Sequence, residues 1–258
     1  MASDGDLVVE RDPNRPAGRL LRQGEMEASY VDLADPRHLE FDYLRWMRLV
    51  LRAAGARRVL HVGGGGCSLA RALALEDPAG RHHVCELDGR VIALAREHLG
   101  LRRTPGLRVR RADGRRFLAT QPDASWEAVV LDAFVGAAVP RHLMTAEAMR
   151  ECARVAPLTL VNVVDSRVGR DVRLIAAALG EPYPRVWSLA GRSQNIVLIG
   201  TTKDLPWARI AAAAAADRSP ARLQIAAEPH GGLHGCVALT DAELGAVEGG
   251  RESATRRW

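Results

Sequence analysis

The chain has 258 residues, 47% of them hydrophobic and 26% charged, with a formal net charge of +5. That balance excludes disorder across the middle of the chain and suits one sizeable core, or a core domain with small appendages. The longest purely apolar stretches, such as Ile210 to Ala216, fall far short of a bilayer span and exclude a membrane-crossing helix.

Met1 to Asp6 has neither a basic nor an apolar region, so no signal peptide is read there. Cys67, Cys85, Cys152 and Cys236 lie far apart without Cys-x-x-Cys spacing, which points to reduced thiols in a cytoplasmic protein. Nearly all the positive charge is arginine, with Lys203 the only lysine. The densest run is Arg102, Arg103, Arg108, Arg110, Arg111, Arg115 and Arg116. A groove lined by these could attract an anion, but no aromatic residues interleave them to stack bases. The run reads as a solvated face, against a nucleic-acid partner.

Leu7 to Val9, Arg19 to Leu21 and Met26 to Val31 read as strands of a short β-rich segment over residues 1–36, with a turn at Gly24-Glu25. From Leu39 the period becomes helical, with Tyr43, Trp46, Met47, Val50 and Leu51 on one face and Gly55 as the stop. Strands at Val59–Val62, His83–Cys85, Leu107–Val109, Ala128–Leu131 and Leu158–Val164 then alternate with helices at Leu69–Leu75, Val91–Leu99, Arg115–Leu118, Thr145–Val155 and Val168–Leu179. This alternation predicts an α/β, Rossmann-like domain over residues 37–202 with a mostly parallel sheet. Arg185–Trp187 and Ile196–Ile199 are joined too closely for a parallel crossover, so they are expected as an antiparallel hairpin at one sheet edge. Residues 203–258 are read as a tail with an alanine-rich helix near Pro206 to Asp217, then irregular chain that frays from Gly249.

Gly63, Gly64, Gly65 and Gly66 follow the first strand of this domain and precede a helix, where backbone can approach a ligand and free N–H groups are offered. Glu86 closes the second strand at the distance where dinucleotide folds place a ribose-binding acid. Asp113-Gly114 closes the third and Asp132 the fourth. Glycines and acids thus gather at the carboxyl edge of the sheet, where such folds bind ligands.

These residues carry a resemblance to the spermidine synthase family, of the class I S-adenosylmethionine-dependent methyltransferase fold, over roughly Ser29 to Thr201. The matching runs are Val59-Leu60-His61-Val62-Gly63-Gly64-Gly65, Cys85-Glu86-Leu87-Asp88-Gly89-Arg90-Val91-Ile92, Ala112-Asp113-Gly114 and Val130-Leu131-Asp132-Ala133-Phe134. Glu40-Phe41-Asp42-Tyr43 is similar to the acidic-Phe-x-Tyr run that precedes them in that family. The glycine loop is shared with all class I methyltransferases; the Glu-Leu-Asp and Leu-Asp-Ala-Phe runs are more specific. The resemblance implies that Glu86 holds ribose hydroxyls and that Asp113, with Gly114 beside it, holds the adenine amine. It also implies that Asp132 is the catalytic aspartate and Tyr43 the active-site tyrosine. The expected co-substrate is S-adenosylmethionine or its decarboxylated form, and the expected partner is a small-molecule amine acceptor.

The expected chemistry moves an aminopropyl-type alkyl group from the sulfonium to an amine, with Asp132, the only acid in Leu131 to Arg141, as base. Three departures from the family pattern stand out. Gly66-Cys67 replaces Asp-Gly in the loop, where the resemblance implies that the aspartate meets the donor's amino group. Val135-Gly136 replaces Asp-Pro after the fourth strand, and Leu44-Arg45 replaces Gln-Glu after the tyrosine, which removes an acid and supplies a cation. They leave open methyl transfer from intact S-adenosylmethionine, and a non-catalytic nucleotide-binding homologue. Phe134 to Pro140 is expected to form an acceptor wall or lid. Glu228 to Cys236 offers histidine and cysteine without metal-site periodicity, and no metal is expected. His82-His83 is read as surface, and Asp165-Ser166 as the cap of the following helix. The oligomeric state is left open, with a homodimer as the candidate assembly.

Overall fold

The structure, a computed structural model, describes residues 2–102, 104–136, 138–164, 169–227 and 237–244. Four antiparallel strands open the chain: β1 (Ala2–Asp4), β2 (Leu7–Arg11), β3 (Gly18–Gln23) and β4 (Met26–Asp32), paired in that order. Leu7, Val9, Leu21 and Val31 are buried against the helices α2 (Ser68–Glu76) and α3 (Gly89–His98), so this sheet is fastened to the main domain by an apolar face.

Helix α1 (Asp42–Ala53) leads into the large sheet and ends as predicted, with Gly55 at φ +64 just past its last turn. The parallel strands are β5 (Arg58–Gly63), β6 (Arg81–Glu86), β7 (Leu107–Arg111), β8 (Ala128–Asp132) and β9 (Leu158–Val164). Helices α4 (Gly114–Ala119), α5 (Ala146–Val155) and α6 (Arg170–Gly180) complete the crossovers. Then come β10 (Val186–Ala190), β11 (Asn195–Thr201), α7 (Trp207–Ala215) and β12 (Arg222–Ala227). Strand order is β12-β10-β11-β9-β8-β5-β6-β7. From β5 the chain winds one way through β6 and β7, then returns to β5's other side for β8 and β9. That reversal opens a crevice at the carboxyl ends of β5 and β8.

The sheet is buried on both faces, as a parallel sheet requires. Along β8, Val129 and Leu131 face α4, α5 and α6, while Ala128 and Val130 face α1 and α7. Two expectations need correction. The β10–β11 hairpin is antiparallel as read, but it is not the edge. Arg222–Ala227, read as irregular tail, forms β12 and pairs with β10 outside it. Its signal was weak because only Leu223 and Ile225 carry the apolar side of a short alternation. His82 is buried rather than on the surface, with its Nδ1 3.4 Å from His61 Nε2, because β6 is flanked by β5 and β7. His83 is half-buried and packs edge-on against Phe117 and Trp126.

Among the described residues no helix is long and apolar enough to cross a membrane. Residues 165 and 166, the segment 228–236 and the terminal segment from 249 lie outside the described residues.

Candidate functional site

A cavity of about 480 Å³ occupies the crevice, within the range of small-ligand sites. Tyr43, Gly63, Gly64, Gly65, Glu86, Asp113, Gly114 and Asp132 all line it. The structure therefore brings these eight residues together around one cavity. The β3–β4 hairpin roofs one side with Gln23, Met26 and Glu27, and Phe134, Val135 and Pro140 supply the expected apolar wall on another.

Each acid is held in a different way. Glu86 Oε1 accepts from the Asp88 backbone N–H at 3.0 Å. Burial raises the Glu86 pKa, and the backbone N–H groups of Asp88, Gly65 and Leu87 only partly offset it. Asp113 caps α4, its Oδ1 accepting from the Arg116 N–H at 2.9 Å, while Oδ2 lies 3.7 Å from His142 Nε2. One carboxylate thus serves the helix start and also faces the cavity.

Asp132 ends β8 between two polar partners. Tyr43 on α1 donates its hydroxyl to Oδ2 at 3.3 Å, and Asn162 on β9 donates Nδ2 to Oδ1 at 2.9 Å. Burial pushes the Asp132 pKa up to about 6, against the lowering effect of these two hydrogen bonds. Such a carboxylate is ionised near neutrality yet basic enough to accept a proton, the balance suited to a general base. Tyr43 is raised well above its ordinary value, first by burial and then by the charge of Asp132, so it stays a donor.

The glycines divide their work. A Cβ on Gly63, at φ +77, would overlap the backbone carbonyl of Asp132, so this glycine is demanded by strand packing as well as by the ligand edge. Gly64 has only Val84 near its missing side chain, at 3.8 Å, and is the open face of the loop. Gly66 is not among the cavity's lining residues, and a Cβ there would lie 2.7 Å from Ser29 Oγ and 2.8 Å from Leu99 Cδ1. The expectation that position 66 faces the donor's amino group is corrected accordingly. Cys67 adopts φ +60, the backbone the family's glycine would supply at that point. Burial raises its thiol to about 12, so it stays protonated and unreactive.

Arg45, expected to bring a cation to the site, turns away. Its guanidinium grips Asp217 at 2.9 and 3.0 Å and donates to the carbonyls of Leu39 and Glu40. Within the arginine run, Arg102, Arg108, Arg110, Arg111 and Arg116 are exposed, while Arg115 is half-buried and pairs with Asp241 at 2.9 Å.

Sequence reasoning missed Asn162, His142 and Asn195, all on the cavity wall. A signal existed for the first. Asn162 interrupts the otherwise apolar Leu160-Val161-x-Val163-Val164 and is 1% exposed. A polar side chain inside a buried strand needs a partner, and Asp132 is that partner. Among the described residues no group of three or more metal-ligating side chains comes together.

No protein-family model matches the chain. It is 30% identical to a polyamine aminopropyltransferase from Vibrio vulnificus over 152 residues, 57% of this chain and 50% of that protein. The match therefore spans half the length of that curated relative. A probable spermidine synthase from Corynebacterium glutamicum superposes with a TM-score of 0.80 at 27% identity, covering 91% of this chain and 92% of that one. Human methyltransferase-like protein 13, in complex with SAH, shares the fold, with a TM-score of 0.56 at 16% identity over 66% of this chain and 87% of its own. With the sheet order and the crevice already described, these likenesses make the chain a homologue of the spermidine synthases built on a methyltransferase-like fold.

Proposed function

We propose that the protein transfers an aminopropyl-type group from an S-adenosyl sulfonium nucleotide to an amine, with Asp132 taking the amine's proton. The observation that carries this reading is the Tyr43–Asp132–Asn162 contact at the rim of a cavity that also holds Glu86 and Asp113. In this reading the free faces of Glu86 and Asp113 accept from ribose hydroxyls and the adenine amine, and Gly64 lets the nucleoside lie close to backbone. The donor then points its sulfonium along the cavity toward β8. Transfer of the ammonium proton to Asp132 frees a nitrogen lone pair. That pair attacks the carbon beside sulfur, the C–S bond breaks, and sulfur leaves as a neutral thioether with the bonding electrons. Because the leaving group is built into the donor, alignment and proton removal are the protein's main tasks.

The relatives named above are an aminopropyltransferase and a probable spermidine synthase, which supports this class of reaction over others. Methyl transfer from intact S-adenosylmethionine is a second reading, favoured by the apolar Val135 on the cavity wall where the family pattern has an acid. Both use the same nucleoside contacts. The reduced thiols Cys67, Cys85 and Cys152 support a cytoplasmic setting. The test is product analysis with S-adenosylmethionine or its decarboxylated form and a panel of amines. Methylthioadenosine together with an aminopropylated amine supports the first reading, and SAH with a methylated product supports the second. No binding of either donor removes both.

A further inference from the structure

Asn162 carries a polar atom that the chemistry above leaves unused. The register that pairs Leu131 with Val161 carries Asn162 alongside Asp132. Its Nδ2 donates to Asp132 Oδ1 at 2.9 Å. An ionised carboxylate only accepts, so this contact fixes which end of the amide faces Asp132. Oδ1 is thereby directed elsewhere. It is buried, and among the described residues it has no hydrogen-bond partner. Two other buried side-chain atoms there share that condition, Arg71 Nε and Ser193 Oγ, but only Asn162 belongs to the cavity wall. A buried amide oxygen left unpaired is costly, and on a ligand-facing wall it marks a place for a ligand's donor.

We propose that Asn162 Oδ1 and Asp132 together form an amine subsite that selects acceptors whose attacking nitrogen carries at least two N–H groups when protonated. This rests on the transferase reading given above. Asp132 takes one proton from the nitrogen while Asn162 Oδ1 holds a second N–H, so the freed lone pair is aimed at the donor carbon rather than at the wall. A hydroxyl has one hydrogen and cannot satisfy both oxygens, and a carboxylate is repelled by both. Asn162 forms no covalent bond and exchanges no proton; its hydrogen bond to the attacking nitrogen sets that nitrogen's direction and the class of acceptor. A neutral amide suits that place, because a second carboxylate would share a proton with Asp132 and raise its pKa.

The test compares Asn162→Leu and Asn162→Asp with the wild type. Methylthioadenosine affinity is measured by calorimetry, and KM is measured for 1,4-diaminobutane and butylamine with decarboxylated S-adenosylmethionine at pH 8.5. Asn162→Leu should keep methylthioadenosine affinity and raise KM for both amines about tenfold or more, the scale of one lost hydrogen bond to a charged group. Asn162→Asp, which keeps the acceptor oxygen, should hold KM within a few-fold of wild type and move the acid limb of the pH profile upward. If Asn162→Leu binds methylthioadenosine normally with unchanged amine KM, the subsite is overturned while the transferase reading stands. If the leucine variant does not fold, the aspartate variant decides, and an unmoved acid limb overturns the subsite. If the wild type binds no methylthioadenosine, the transferase reading fails and the subsite with it.

Discussion

Tyr43 and Asp132, 89 residues apart in sequence, meet where α1 crosses the end of β8, the phenol donating to the carboxylate at 3.3 Å. This contact lowers the Asp132 pKa against the burial that raises it to about 6. Tyr43→Phe removes the donor and keeps the buried ring, so the carboxyl moves further up. Since only the ionised form accepts a proton, the acid limb of kcat/KM should shift to higher pH, with a several-fold larger rate loss at pH 6 than at pH 8. An unmoved limb would show that Tyr43 does not tune the base.

Glu86 should trade stability for binding. Its folded pKa is raised above the ordinary carboxylate value by burial. The sign follows from linkage: stability is complete below the unfolded pKa and is lost as pH rises through the folded one. At pH 7 the ionised carboxylate is therefore a burden on the fold. Glu86→Gln should raise Tm at neutral pH, an effect that disappears near pH 4. Glu86→Ala should weaken nucleoside binding by about 1–3 kcal/mol, by leaving ribose hydroxyls without a charged partner. Calorimetric titration with methylthioadenosine checks the second, and thermal melts at both pH values check the first. A dissociation constant unchanged in folded Glu86→Ala would remove Glu86 from the nucleoside site.

The buried His61–His82 pair sets a second pH dependence with the opposite sign. Burial lowers His61 well below its ordinary value and His82 to about 4, with Asp77 opposing the shift at His82. For groups with depressed pKa, stability is full above the unfolded value near 6.5 and declines as pH falls toward about 4. Thermal melts should lose several degrees across that window, at about 2–4 °C per kcal/mol for a chain of this size. The double variant His61→Phe/His82→Leu should flatten the curve, and an equally steep curve in that variant would place the acid sensitivity elsewhere.

Gly63 and Gly64 should separate folding from binding. Gly63→Val drives its Cβ into the Asp132 carbonyl, so the variant should fail to give a cooperative melt. Gly64→Ala meets only Val84 at 3.8 Å but strains a backbone at φ +135. It should fold with reduced Tm and lose methylthioadenosine affinity. A normally folded Gly63→Val would contradict the packing role assigned to that position.

Much of this architecture was legible because a parallel sheet writes itself as short apolar runs alternating with helical periodicity. Glu86, Asp113 and Asp132 were found because the carboxyl edge of such a sheet is a predictable place for ligand-facing acids. What escaped depended on direction and depth rather than residue type. Arg45 looked like a site cation from its neighbour Tyr43, yet the two point different ways around α1, and Asp217, 172 residues away, claims the guanidinium. Gly66 was assigned to the donor by its place in the loop, but which way a missing side chain would point depends on backbone torsions that spacing does not encode. Asn162 was hidden inside an apolar strand, its meaning visible only once β9 was placed beside β8.

The central claim is that Asp132 accepts the proton of the attacking amine, and Asp132→Asn tests it most directly. The substitution preserves size and most hydrogen bonds while removing the base. Turnover of 1,4-diaminobutane with decarboxylated S-adenosylmethionine, measured at saturating amine so that lost binding is not mistaken for lost chemistry, should fall by about a hundredfold or more. Methylthioadenosine affinity should stay near wild type, because the ribose and adenine contacts belong to other strand ends. A variant that turns over at the wild-type rate would contradict the claim and leave Asp132 with a structural role alone.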